Sequence, residues 1–439
     1  MTKTIKIDNL TYGGDGIGRL DGKAVFVPYG APGDTVEVKF IKEKKRFAIA
    51  ELIEVTEPSP LRQDPACPVF GECGGCQWQH ISYETQLKAK GEQFTETLKR
   101  LAGIEFPEPP RLIASPKVLN YRNRVKIHKK GPKWGFFRAK SHKIVDIDNC
   151  PLLDPTINKV FAAIRAFDFP EPLHTLDIAL DEATGNCVAA FYLKKNRDFD
   201  WEGLLSKVGD LKGIELWKKD PNTTRKSKLG EFGDTLLSYK VAGATILSGT
   251  TTFMQGNPEQ NKNIVEEVLR LTDLDKVKEE KKPIVIADLF CGAGNLTIPL
   301  AMRAEMVVGI DTDGEAIVYA KKAARISGLA AVKFRSEDAE KTKTLEKVSP
   351  SVVVLDPPRS GCLEAIEKII KVMPEKVIYI SCAPPTLARD IKLLIDKGYR
   401  PARASVLDLF PQTYHIESIV ELILPKAQNE TQPETQNRD

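Results

Sequence analysis

No stretch of the chain approaches the roughly 20 consecutive apolar residues that a membrane-spanning helix needs, and the amino terminus has no apolar signal-peptide core. Membrane-embedded and secreted proteins are therefore set aside, and a cytoplasmic location is expected. Cysteine is sparse, with 8 thiols in 439 residues. Without a secretory signal these read as free thiols or metal ligands in a reducing compartment, not as a disulfide framework. No internal repeat is present, which excludes a repeat array. Neither sign of charge dominates: 64 Lys and Arg against 60 Asp and Glu leave a net charge of +4, too small to name a partner. The full G-x-G-x-x-G of a dinucleotide site is missing too.

What is present describes a globular protein, 42% hydrophobic and 28% charged, too long for one ordinary core and so expected to form two or three domains. From Thr4 to Thr56, short alternating segments (Ile5–Ile7, Lys23–Val27, Thr35–Phe40, Arg46–Val55) are separated by turns at Gly13–Gly16 and Ala31–Asp34. That pattern suits an OB-like barrel that binds oligonucleotides, or an unrelated barrel adaptor. Glu57-Pro58-Ser59-Pro60 reads as a linker, Tyr83–Leu101 as a helix, and Pro107–Thr252 as a mixed region with strands near Arg124–His128 and Asp177–Leu180. From Ile284 onward, strands at Ile284–Phe290, Met306–Asp311, Val332–Phe334, Ser351–Leu355 and Lys376–Ser381 alternate with helices, predicting a mostly parallel sheet with helices on both faces. Ser405–Leu409 and Ile419–Leu424 read as a closing pair of strands, and the last dozen residues as a disordered polar tail.

Chemistry concentrates at the expected strand ends. Asp288-Leu289-Phe290-Cys291-Gly292-Ala293-Gly294-Asn295 lies where the first strand of the parallel sheet meets its first helix, and glycines there let backbone approach a ligand. Asp311 ends the next strand, placed for a ribose diol, and Asp338 follows the third, placed for an adenine amino group. This arrangement resembles a class I S-adenosylmethionine-dependent methyltransferase; another nucleotide-binding α/β domain is the alternative. Cys382 ends the run Lys376–Ser381 and precedes Ala383-Pro384-Pro385, so the thiol is expected in a stiff loop, with the prolines delaying the next helix. Cys67, Cys73 and Cys76 form C-x5-C-x2-C, with Cys150 far downstream, a spacing that leaves zinc and iron–sulfur readings open. Basic residues gather at Lys39–Arg46, Arg122–Lys143 and Lys218–Lys228. Tyr121, Trp134, Phe136 and Phe137 lie in or beside the second of these, as RNA phosphates and unpaired bases would require, or simply as solvated charge and core.

Four motifs together (Phe253-Met254-Gln255-Gly256-Asn257, Asp356-Pro357-Pro358-Arg359, Ser381–Asp390 around Cys382, and His415-Ile416-Glu417) closely resemble the RNA uracil-C5 methyltransferase family. One position departs: the family usually has Asn after the nucleophile, where this chain has Ala383. The resemblance implies a covalent reaction in which Cys382 adds to C6 of a uridine and Glu417 removes the C5 proton. S-adenosylmethionine would be held near Gln255, Asp288, Phe290, Gly292, Gly294, Asn295, Asp311, Asp338 and Asp356. Within that set it gives Gln255 the uracil edge or the cofactor region, and Asp356 the flipped base; His415 either touches substrate or packs its turn. The segments around Cys67–Gln77 and Asn149-Cys150-Pro151 resemble the [4Fe-4S] branch of the family, whose amino-terminal TRAM domain would open at Gly13–Gly18. Cys67, Cys73, Cys76 and Cys150 would then be the cluster ligands; the remaining thiols, Cys187, Cys291 and Cys362, read as structural or incidental. The expected division is an OB-like TRAM barrel (1–58), a central α+β iron–sulfur domain that binds RNA (59–255), a Rossmann-like methyltransferase domain (256–426) and the tail (427–439). The expected product is 5-methyluridine in 23S rRNA, made by a monomer without an obligate protein partner. The alternatives are a tRNA T-loop enzyme or a non-catalytic RNA-binding or ribosome-assembly factor.

Overall fold

The computed structural model describes residues 2–169, 173–193, 199–219, 226–273 and 284–425. The tail expected at 427–439 lies outside them. Strands β1 (Lys3–Leu10), β2 (Gly16–Leu20), β3 (Lys23–Val27), β4 (Thr35–Glu43) and β5 (Phe47–Glu57) close into a barrel in the order β1-β2-β3-β5-β4, with β4 pairing back onto β1. Alternation builds it: Ile5, Ile7, Val25, Val27, Val36 and Val38 turn inward and are buried. β2 is a strand the sequence pattern hides. Gly16 and Gly18 resemble turn residues, yet both lie in the ladder, opposite Val27 and Val25 of β3.

Helix α1 (Tyr83–Ala102) starts at Ser82, whose hydroxyl accepts from the Thr85 amide, and stops at Gly103 in the left-handed region. The short strand β6 (Arg111–Ile113) follows. Strands β7 (Arg124–Lys130), β8 (Lys133–Phe137) and β9 (Ile144–Asp146) lead to helix α2 (Pro155–Arg165). Next come β10 (Leu173–Asp181), β11 (Asn186–Leu193), helix α3 (Trp201–Lys207), β12 (Leu211–Lys219) and β13 (Lys226–Gly233). These seven strands, from β7 to β13, form one sheet in the order β13-β12-β11-β10-β7-β8-β9, and α2 and α3 pack on it through Ile157, Phe161, Trp201 and Leu204. A hairpin of β14 (Leu237–Val241) and β15 (Ala244–Ser248) then leads to helix α4 (Pro258–Thr272).

The remaining elements alternate as expected: β16 (Val285–Leu289), α5 (Thr297–Ala301), β17 (Met306–Asp311), α6 (Gly314–Ile326), β18 (Val332–Ser336), α7 (Thr344–Val348), β19 (Val352–Leu355), α8 (Leu363–Val372), β20 (Lys376–Ser381), α9 (Pro384–Ile395), β21 (Arg400–Leu407) and β22 (Glu417–Ile423). Their sheet has eight strands in the order β18-β17-β16-β19-β20-β22-β21-β6. The strands from β16 to β20 run parallel, and β22 runs antiparallel to both β20 and β21. Strand order reverses between β16 and β19, the switch point at which open α/β sheets bind ligands.

Two expectations meet a different outcome. Pro384 and Pro385 do not delay the helix after Cys382; they form the first turn of α9, where a missing N–H costs nothing and a fixed φ suits the helix. The eight-stranded sheet also takes its last strand from upstream: β6 pairs in parallel with β21, and Phe94 and Leu98 of α1 share a core with Leu387, Ile391 and Leu394 of α9. Residues 83–113, placed by the sequence in the central domain, therefore pack on the carboxy-terminal sheet.

One ion pair fixes that packing. Lys90 on α1 donates to Asp408 at 2.6 Å, both side chains being wholly buried, and also to the Phe410 carbonyl at 3.1 Å. Lys90→Met would leave an uncompensated carboxylate in the core. It should cost about 3–5 kcal/mol of stability, read as a lowered midpoint of thermal unfolding, and an unchanged midpoint would show that the pair contributes little.

Candidate active site

The turn after β16 is built for close approach. Phe290 (φ 63°), Gly292 (φ 52°) and Gly294 (φ 89°) adopt left-handed backbone, which reverses the chain within a few residues. At Gly294 a Cβ would sit 3.1 Å from the Ile298 side chain, so glycine is also needed for fit. The turn lines a cavity at the switch point together with Tyr239, Phe253, Gln255 and Asp356. Six residues expected around the cofactor therefore share one cavity: Gln255, Asp288, Phe290, Gly292, Asn295 and Asp356. Asn295 is held by reciprocal amide bonds to Asn261 (2.8 and 2.9 Å) and by the Tyr239 hydroxyl (3.0 Å).

Three expected residues do not line this cavity. Gly294 lies behind it. Asp311 accepts from the Gly292 and Asp313 amides, both at 2.8 Å, and so braces the glycine turn. Asp338 caps its own turn through the Glu340 amide (3.0 Å) and pairs with Lys341 (3.3 Å).

Cys382 and Glu417 come together because β20 and β22 are antiparallel neighbours: Ser381 pairs with Ser418, so the end of one strand adjoins the start of the other. Burial pushes the Cys382 thiol up to about 11; Glu417 and Asp356 push the same way, while Arg359 opposes them by charge and a hydrogen bond. Glu417 is 4% exposed, and burial drives its carboxyl well above the usual range, with Asp356 adding to the shift and Arg359 again opposing it. Burial raises Asp356 to about 7 and, together with Asp356 and Asp311, raises Asp288 to about 7 despite a bond from the Thr297 hydroxyl. Burial lowers His415 to about 4, and its ring packs 4.6 Å from that of Tyr414.

The cation that meets the thiol is Arg359, quoted in the sequence motif but given no task there. Its signal was its place three residues after Asp356. Ala383 fills the N-cap position of α9 and supplies no side-chain cap. An Asn there would cap the helix, a difference worth about 0.5–2 kcal/mol.

Cys187, Cys291 and Cys362 are buried, whereas Cys67, Cys73, Cys76 and Cys150 line one cavity among Val69, Phe70, Phe136 and Ile147, and none forms a disulfide. Gln79 faces the same cavity, its side-chain oxygen accepting from the Cys67 amide at 3.0 Å and its buried side-chain nitrogen turned to the Cys76 thiol. Among the described residues, no group of three or more Cys, His, Asp or Glu is drawn tightly enough to hold a single metal ion. No helix among them is long and apolar enough to cross a membrane.

Strand order, switch-point cavity and glycine turn define a class I S-adenosylmethionine-dependent methyltransferase. The chain belongs to the tRNA (uracil-5-)-methyltransferase family, whose model matches residues 82–424, and carries a TRAM domain at residues 1–53. It is 35% identical to an uncharacterized RNA methyltransferase of Aquifex aeolicus, over 94% of this chain and 97% of that one. Identity is 32% to the 23S rRNA (uracil(1939)-C(5))-methyltransferase RlmD of Marinomonas, over 95% and 94%. The crystal structure of Pyrococcus abyssi tRNA (uracil-54, C5)-methyltransferase with S-adenosyl-L-homocysteine superimposes with a TM-score of 0.77 at 26% identity, over 96% of this chain and all of that one. The protein is an S-adenosylmethionine-dependent RNA methyltransferase.

Proposed function

We propose that the protein converts a uridine of 23S rRNA to 5-methyluridine through a covalent Cys382 adduct. The observation that carries this reading is the meeting of Cys382, Glu417 and Arg359 beside the switch-point cavity. Uracil C5 is a weak nucleophile, and thiolate addition at C6 moves an electron pair into the C4 carbonyl, giving an enolate that is nucleophilic at C5. S-adenosylmethionine, when bound, supplies the electrophilic methyl group. Glu417 then takes the C5 proton, and the electrons of that C–H bond re-form the C5–C6 double bond as the Cys382 thiolate leaves. Asp356, at the cavity wall, fixes the flipped base, and Gln255 the uracil edge or the cofactor beside it. A ribosomal target is supported by the similarity to RlmD along nearly the full chain. The likeness to the P. abyssi enzyme favours transfer RNA as the second reading.

The same reading assigns Cys67, Cys73, Cys76 and Cys150 to a [4Fe-4S] cluster. The residues fit such a group: each thiolate of a cubane binds its own iron, so four sulfurs around one cavity need not converge as they would on a single ion. The Gln79 amide beside Cys76 is a donor suited to a cluster sulfur. The cluster would supply a cross-link between distant stretches of chain. Oxygen-free purification should give a brown protein with about four irons per chain; a colourless, zinc-loaded protein would remove the assignment. The function is tested by mapping 5-methyluridine in total RNA from cells with and without the gene. Loss at a 23S rRNA position is the expected result; loss confined to tRNA moves the target, and a purified protein inert on unmodified RNA defeats the enzymatic reading.

A further inference from the structure

The amino-terminal barrel reaches the catalytic centre. Its β1–β2 turn is tightly formed: the Thr11 amide and hydroxyl both donate to the Asp15 carbonyl (2.8 and 2.9 Å), and the Gly14 amide donates to the Thr11 carbonyl (3.0 Å). The turn is also seated on the rest of the protein. Trp78, fully buried, donates its indole N–H to the Gly14 carbonyl at 2.9 Å. Leu10, Trp78, Ile81 and Ala89 form a small core against which Tyr414 packs. Gly14 (φ +98°) lies so close to Tyr414 that a Cβ would sit 2.9 Å from its ring. Tyr414 in turn packs on His415, two residues before Glu417.

Seating this turn leaves Tyr12 at its tip, 43% exposed, with its phenol within electrostatic reach of Arg359, Cys382 and Tyr414. Tyr12 belongs to none of the hydrophobic cores among the described residues, so core packing does not account for its ring. Nothing in the barrel's core needs it: the buried residues there are Ile5, Ile7, Ala48, Ala50 and the valines.

We infer that Tyr12 is a substrate-contacting residue, whose ring forms the barrel's side of the catalytic pocket and stacks on a nucleotide flanking the target uridine. This rests on the covalent uridine reading, which also decides which base is stacked. The thiol takes one face of the target ring at C6 and the methyl donor the opposite face at C5, so neither face is left for tyrosine. A flipped uridine leaves its neighbours unstacked, and an exposed aromatic ring at the pocket rim restores a stacking partner to one of them. The barrel thereby selects for single-stranded or opened RNA at the active site, in addition to any phosphate contacts it makes.

The test is steady-state methylation of unmodified, in vitro transcribed 23S rRNA by the full-length protein, Tyr12→Ala and Tyr12→Phe. Alanine should raise KM for RNA by roughly 10-fold, with kcat within about twofold and with S-adenosylmethionine affinity and melting temperature unchanged. Phenylalanine, which keeps the ring, should restore KM. A KM for Tyr12→Ala within twofold of the parent overturns the inference, and so does a Tyr12→Phe enzyme as impaired as alanine, since the hydroxyl and not the ring would then be at work. The parent's product is identified by nucleoside analysis in the same assay. A parent that makes no 5-methyluridine defeats the underlying reading; an active parent with an indifferent Tyr12 defeats only this one. RNA affinity, measured by filter binding, reads the Tyr12 contact independently of turnover.

Discussion

Cys382→Ala should lower methyl transfer by roughly 10⁴-fold or more while S-adenosylmethionine binding is retained, because Cys382 is not among the residues lining the switch-point cavity. The comparison is single-turnover methylation beside cofactor affinity measured by calorimetry; ordinary turnover by the variant would refute the nucleophile. The thiol's environment fixes the sign of the pH dependence. Burial and the Glu417 and Asp356 carboxyls hold Cys382 near 11, so the thiolate is the minor form at neutral pH and grows as pH rises. The rate of the addition step should therefore climb by about tenfold per unit between about pH 7 and 9. Arg359 is the group that opposes this upward shift, and Arg359→Ala should move the whole profile to higher pH. A flat profile would mean that substrate binding ionises the thiol.

Glu417→Gln should trap the reaction one step later. Glutamine preserves the shape of a side chain only 4% exposed, so the fold should persist, but it cannot take the C5 proton. With that proton in place the thiol cannot be expelled, and a methylated RNA–protein adduct should accumulate, visible as a labelled band that survives denaturing electrophoresis. Burial, with Asp356 adding, keeps Glu417 protonated far above the usual carboxylate range, and its ionised form is a correspondingly strong base. Continued turnover without an adduct would hand the base's role to another group, and Asp356 would be the nearest candidate.

The parts of this architecture that the sequence reveals are those whose signal is local. Strands β16, β17, β19 and β20 are buried on both faces and read as largely apolar runs rich in valine and isoleucine. Helix α1 shows its cap and its glycine stop. β6 is only three residues long and β2 carries two glycines, so neither offers a periodic pattern to find. The proline pair after Cys382 misleads because proline is excluded from helix interiors yet favoured in the first turn, and sequence alone does not say which position it holds. In the site, Cys382 and Glu417 are legible through motif resemblance, whereas the meeting of Arg359 with the thiol depends on two strand ends, those of β19 and β20, that only the folded sheet sets side by side. The seating of the β1–β2 turn on Trp78 and Tyr414 is a tertiary fact without any local trace.

The late arrival of partners for α1 has a consequence for how the protein is made. Lys90 and Asp408 are 318 positions apart, so at translation speeds of roughly 5–20 residues per second the helix emerges on the order of 15–60 s before its counter-charge exists. For most of that interval Phe94 and Leu98 lack the α9 surface that finally covers them. The barrel and the central sheet have complete sets of strands by then, and each can mature while the catalytic body waits. A truncated chain that ends before α9 would retain the exposed helix permanently. Nascent-chain holding factors would be expected to engage this protein at α1, and the catalytic pocket to form only as the final residues leave the ribosome.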